Sequence, residues 1–214
     1  MLYRTIVADP PWPYTCAIAN RKRSCGSGAL EPGARLPYPT MSISEICALD
    51  VAKMAADDCH LWLWTTNKFL RDGFDVMAAW GFTYLAPIHW IKPSGVGNWF
   101  VNLTQTCLFG YRRFCKFEGS RYLPNVIDAR ASVHSAKPEE TYRYIESVSA
   151  APRLEMFARP WTPLFPSRIG WHVWGNEVPC DASIAPKKEL VEALTTAPNT
   201  QRDAMPADAF EGDL

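Results

Sequence analysis

"YRTIVADPPW", residues 3–12, is the stretch on which the fold turns. Ile6, Val7 and Ala8 make an apolar run typical of a buried strand, and the run stops at Asp9. In open parallel sheets, ligands bind beyond the carboxyl ends of the strands, so a carboxylate at that point can reach a ligand. Pro10 and Pro11 have no N–H, which stiffens the next two positions and leaves outward-pointing carbonyls as acceptors. The Asp9 carboxylate and the Pro10 carbonyl together form an acceptor pair suited to an exocyclic NH₂ group. Trp12 then offers a flat ring that can stack on the base carrying that amine, a contact of ~1–3 kcal/mol per base. The competing reading is a strand-ending turn whose tryptophan folds back into the core.

Outward from this stretch, strand and helix signals alternate. The apolar segments at 59–66, 82–91, 104–112, 153–158 and 170–177 read as strands, with a short one at 125–129. Ser42-Ile-Ser-Glu45 has the form of a capping box opening a helix to about Ala56. Residues 67–81 have amphipathic helical spacing and stop at Gly81. Pro138 sits at the first turn of a helix running to about Ser149, where its missing N–H costs nothing. Strands separated by helices predict βαβ units and a doubly wound, mostly parallel sheet with helices on both faces. Residues 92–102 read as a glycine-containing loop with exposed aromatics.

The 214 residues, 48% of them hydrophobic, suffice for one sizeable core. Formal net charge is zero, but three basic and seven acidic residues in 178–214 leave that segment at −4 and the remainder at +4. A mildly basic body suits a polyanionic substrate without demanding one. Residues 1–179 are expected to form the domain, and 180–214 an acidic, Ala/Pro-rich and largely disordered tail. Four prolines and three glycines in 13–40, with the basic cluster Arg21, Lys22 and Arg23, indicate a long loop. Seven cysteines without a Cys-x-x-Cys pair argue against a zinc site or a disulfide framework, and for free thiols in a reducing compartment. Without a signal-like start or a membrane-length apolar run, the chain reads as soluble and intracellular, with no membrane partner.

Eight landmarks now stand in order: DPPW at 9–12, LPYPTMS at 36–42, LWLWTTN at 61–67, HWIKP at 89–93, LFGYR at 108–112, HSAKPEE at 134–140, RLEMFAR at 153–159 and WHVWGNE at 171–177. In this order and spacing the chain resembles the adenine-N6 methyltransferase family. That family includes the catalytic subunit of messenger-RNA adenosine methyltransferase and bacterial and phage DNA adenine methyltransferases. The resemblance implies a Rossmann-like α/β fold with permuted motif order, the catalytic motif early and the donor-binding strand late. It implies S-adenosylmethionine as cofactor, and it makes 13–37 an insertion after the catalytic motif.

The resemblance also assigns residues. Asp9, Pro10, Pro11 and Trp12 become the catalytic motif, with Asp9 also beside the donor. Lys137 matches the family lysine near the donor's methionine carboxylate. Glu155 and Arg159 leave their strand toward the ribose region, and Asn176 and Glu177 match a pair near ribose and adenine. Tyr38, Asn67, Asn98 and Trp99 are candidates for the target pocket. Trp64 is open between pocket and core, whereas Trp62, Trp80 and Trp90 are assigned to the core. Arg21, Lys22 and Arg23 either touch phosphates or decorate a surface loop. The implied partner is nucleic acid, DNA ahead of RNA, in a bacterial or phage-infected cytoplasm, with a homodimer or heterodimer compatible. The alternatives are RNA adenine methylation, cytosine-N4 methylation and a catalytically silent nucleic-acid-binding subunit.

Overall fold

The computed structural model describes residues 1–14, 39–96, 99–113, 117–119, 122–129, 137–159 and 170–184. Seven strands form one mixed sheet: β1 (Tyr3–Ala8), β2 (Ala55–Thr65), β3 (Thr83–Val96), β4 (Asn102–Tyr111), β5 (Val126–Asp128), β6 (Arg153–Met156) and β7 (Trp171–Trp174). Their spatial order is β5-β3-β4-β2-β1-β6-β7. β1 lies inside the sheet, next to the middle strand β2, and runs parallel to both neighbours, β2 and β6. β4 runs antiparallel between β2 and β3, and the other pairs are parallel. The chain thus has the mostly parallel, Rossmann-like α/β architecture expected from the sequence.

Side chains alternate across the sheet with period two. Ile6, Ala8, Leu61, Leu63 and Leu108 pack with α1 (Ile43–Ala48) and α2 (Leu70–Ala79) through Ile46, Val76, Met77 and Trp80. Val7, Trp62, Trp64, Cys107 and Phe109 face the other way, toward α3 (Glu139–Glu146), through Tyr142 and Ile145. Helices therefore cover both faces. Trp62, Trp80 and Trp90 are buried as expected, with their indole N–H groups donating to Ser149 Oγ, Ile46 O and Ala129 O.

The structure corrects several element bounds. The first helix ends at Ala48, not near Ala56, because Leu49 is extended and the chain enters β2 at Ala55, level with Tyr3 of β1. A 3₁₀ turn over Asn67–Phe69 precedes α2. Gly81, at φ +81°, ends the turn after α2 as its sequence position predicts. The loop expected at 92–102 is shorter, because β3 continues to Val96, which pairs with Asn102. A methyl group on Gly95 would lie 2.1 Å from the Asn102 carbonyl oxygen, so this hairpin neck closes only with glycine. Pro138 is the N-cap of α3 rather than part of its first turn. Packing also continues past 179. Asp181 accepts from the Val173 N–H at 3.0 Å, and Ala182 and Ile184 lie against the core. No helix among the described residues is long and apolar enough to cross a membrane.

Candidate active site

Asp9 follows Ala8, whose partner is Leu63, so Asp9 lies level with Trp64 of β2 and, one strand further, with Cys107 of β4. Alternation sends Ala8 toward α1 and α2, and hence turns Asp9 toward the α3 face. Lys137, two residues before α3, meets it there in an ion pair between Nζ and Asp9 Oδ2. The lysine side chain is 9% exposed and the aspartate 40%, so the cation is sunk and the carboxylate opens outward. The Lys137 ammonium also sits 5.0 Å over the Trp64 ring, a cation–π contact away from bulk water.

The electrostatics of this row extend to its neighbours. Burial pushes the Cys107 thiol well above its usual range; nearby Lys137 opposes that shift and Asp9 adds to it. Burial, then repulsion from Lys137, lowers Lys92 below the ordinary lysine value. Sequence reasoning did not select Cys107 or Lys92, and it left Trp64 open. The alternation of LWLWTT carries the face of Trp64, but its neighbours are fixed only by the pairing of β1, β2 and β4.

The proline turn differs from its expected form. The Pro10 carbonyl accepts from Trp12 N–H at 2.8 Å and the Pro11 carbonyl from Met41 N–H at 2.9 Å, so both are already engaged. A carbonyl has two lone pairs, which leaves Pro10 one for a ligand. Trp12 is 3% exposed, stacks on Phe69 at 5.6 Å and 11°, and donates to the Trp64 carbonyl at 3.2 Å. Its ring is part of the wall behind the turn, as in the competing reading, rather than an open platform.

The late loops converge on the carboxyl ends of β6 and β7, beside β1. Ala158 N–H donates to the Trp174 carbonyl at 2.9 Å, and a methyl on Gly175 would come within 2.1 Å of the Ala158 carbonyl oxygen. This close approach brings the segment carrying Arg159 against the one carrying Asn176 and Glu177, all three exposed. Phe157 holds φ at +61°, a strained conformation for a bulky residue, with its ring edge-on to Trp174. Glu155 sits lower, level with Val7, and accepts from the Tyr142 hydroxyl at 2.8 Å.

Of the target-pocket candidates, Asn67 Nδ2 donates to Asn102 Oδ1 at 2.6 Å, tying the end of β2 to the β3–β4 hairpin. Trp99 stands at the tip of that hairpin, 92% exposed. Tyr38, Asn98, Arg21, Lys22 and Arg23 lie outside the described residues.

The donor set suits a ligand with a carboxylate, vicinal hydroxyls and a planar base. It offers a buried ammonium at Lys137, a carboxylate and an amide at Glu177 and Asn176, and a guanidinium at Arg159. Among the described residues, the buried Trp64 Nε1–H has no hydrogen-bond partner, an unspent donor on the side chain beneath Lys137.

The family model MT-A70 matches residues 3–177. "Type II methyltransferase M.MunI" of Mycoplasma sp is 28% identical over 191 residues, covering 83% of the chain and 78% of that protein. "N(6)-adenosine-methyltransferase MT-A70-like protein" of Drosophila melanogaster is 28% identical over 186 residues, 82% of the chain and 27% of that protein. "N(6)-adenosine-methyltransferase catalytic subunit METTL3" of Homo sapiens is 26% identical over 186 residues, 82% of the chain and 28% of that protein. The chain thus spans most of the length of the first and about a quarter of the other two.

Proposed function

The chain belongs to the MT-A70 family, and from that premise we propose that it transfers a methyl group from S-adenosylmethionine to the N6 amino nitrogen of adenine in DNA. The observation that carries this reading is the Asp9–Lys137 pair over Trp64 at the carboxyl end of β1. The match over 78% of the length of a type II methyltransferase favours DNA over RNA. The free thiols of Cys107 and Cys180 fit a reducing, cytoplasmic setting.

When bound, S-adenosylmethionine supplies an electrophilic methyl on a sulfonium sulfur. Lys137, Arg159, Asn176 and Glu177 are the residues that would hold it. Lys137 offers its ammonium to a carboxylate, and Glu177 accepts from hydroxyls. Trp64 contributes its indole N–H to an acceptor.

Adenine's amino nitrogen is a poor nucleophile because its lone pair is delocalised into the ring. The Asp9 carboxylate has two oxygens; Lys137 holds Oδ2, which leaves Oδ1 to accept an amino hydrogen. The remaining lone pair of the Pro10 carbonyl accepts the second. These two bonds localise and aim the nitrogen lone pair and stabilise the positive charge that develops on it. Lys137 orients the carboxylate, and Trp12 backs the turn against Phe69. The proton leaves afterwards through Asp9 or water.

The test is transfer of a tritiated methyl group to single-stranded DNA, duplex DNA and RNA, with mass spectrometry of the released nucleosides. Wild type is expected to give N6-methyladenine in DNA, and Asp9→Ala to give less than ~1% of it, a loss of about 3 kcal/mol or more in transition-state stabilisation. Product from Asp9→Ala at the wild-type rate removes Asp9 from the chemistry. Product in RNA alone moves the substrate to RNA.

A further inference from the structure

The β3–β4 hairpin is longer than the sheet needs. Pairing of β4 with β2 ends at Thr106, yet β4 begins at Asn102 and β3 runs on to Val96. Because β4 is antiparallel to β2, this overhang projects from the same end of the sheet as Asp9. Asn102 lies five residues above Cys107, the residue level with Asp9, an overhang of roughly 17 Å at ~3.4 Å per residue. β4 is two strands from β1, an offset of about 10 Å.

The overhang ends in apolar surface. Trp99 is 92% and Phe100 83% exposed, with Val101 and Leu103 beside them also exposed. Two unsheltered aromatic rings on one turn mark a surface that is covered when the protein works. The charge pattern says by what. Across the arm, residues 92–106, the sequence has no Asp or Glu, while Lys92 is basic. Asp128 of the short strand β5, level with Ile91, lies below the tip. An aromatic tip on an acid-free arm suits a polyanion that also offers flat apolar faces, which describes nucleic acid.

The arm is also braced. Gly95 lets the two strands close at the neck, and the Asn67–Asn102 bond ties that neck to the turn after β2. That turn carries Phe69, which stacks on Trp12 of the catalytic turn, so the arm and Asp9 share one rigid frame.

We propose that the β3–β4 hairpin tip, through Trp99 and Phe100, is a wedge that enters duplex DNA beside the target adenine and fills the gap as that base leaves the stack. This rests on the function proposed above and adds how a paired adenine is reached. In a duplex the adenine amino group is engaged in pairing, and enzymes that modify a base must first extrude it. Apolar side chains pushed between base steps are a recurring way to open the stack. A tip at this height, offset sideways from Asp9, enters the duplex next to the base being withdrawn.

The experiment compares wild type with Trp99→Ala/Phe100→Ala on three oligonucleotides of one sequence: single-stranded, fully paired, and paired with a mismatch at the target adenine. Thermal unfolding of both proteins verifies folding. The double variant is expected to lower the ratio of paired to single-stranded kcat/KM at least tenfold, and the mismatch is expected to restore most of it. In an Asp9→Ala background, 2-aminopurine at the target position is expected to brighten on binding with the tip intact and to stay dark without it. An unchanged ratio, an equal loss on both substrates, or methylation of single strands alone overturns the wedge. Absence of N6-methyladenine from wild type on every nucleic acid overturns the proposed function instead. The 2-aminopurine signal, which needs no methyl transfer, still decides the wedge in that case.

Discussion

Lys137 reaches Asp9 across 128 residues of sequence, and the pair owes its strength to its surroundings. A fully exposed ion pair contributes little, but here the ammonium is nearly buried over an indole ring. Removing it leaves Asp9 without its orienting partner and the donor site without a cation. Lys137→Met is therefore expected to weaken donor binding by about tenfold or more, the worth of a charged hydrogen bond of ~1.5–3 kcal/mol, and to lower kcat as well. Calorimetry with S-adenosylmethionine and single-turnover transfer measure the two effects separately; donor affinity left at the wild-type value would remove Lys137 from the donor site. Asp9 was legible in the sequence because a carboxylate that ends an apolar strand has few purely structural uses. The burial of Trp12 was not, since it depends on Phe69, 57 positions downstream, presenting a parallel ring.

Among the elements, α1 was read best at its beginning. Ser42 Oγ accepts from Glu45 N–H at 3.2 Å, and Glu45 Oε2 accepts from Ser42 N–H at 2.7 Å, a complete capping box. Ser42→Ala is expected to cost about 1 kcal/mol, seen as a lower midpoint in denaturant unfolding. The Ser42 hydroxyl, then its N–H, lowers the Glu45 carboxyl below its ordinary value. The stabilisation linked to this shift is fully present above the unfolded-state value of ~4.3 and is lost as pH falls through the lower folded-state one. The gap between wild type and Ser42→Ala should accordingly narrow below about pH 4. Capping boxes are local, so four letters reveal them. The end of the same helix was hidden, because pairing of Ala55 with Tyr3 and two carbonyl contacts from Arg112, at Ala52 and Ala55, draw the chain into a strand.

At the scale of the whole molecule, the two-faced sheet and its permuted order were legible from the alternation of strand and helix signals and the sequence of landmarks. The place of β4 was not, since a run of apolar residues does not state its direction. DASI at 181–184 looks like the polar tail that follows it, yet it adds a rung beside β7 and an apolar contact. A chain ended after Pro179 loses the paired bonds between Asp181 and Val173 and the packing of Ala182 and Ile184. It is expected to unfold about 4–8 °C below a chain ended after Ile184, for a loss of roughly 2 kcal/mol, by calorimetry of the two truncations. The interior position of β1 has a further bearing on how the protein is made. One neighbour, β2, emerges from the ribosome soon after it, but β6 follows only some 145 residues later. Through most of translation one flank of this interior strand stays an open template of backbone donors and acceptors next to Ile6 and Val7. Slow ribosomes, or messages truncated ahead of Arg153, should therefore leave nascent chains that stick to one another or occupy chaperones.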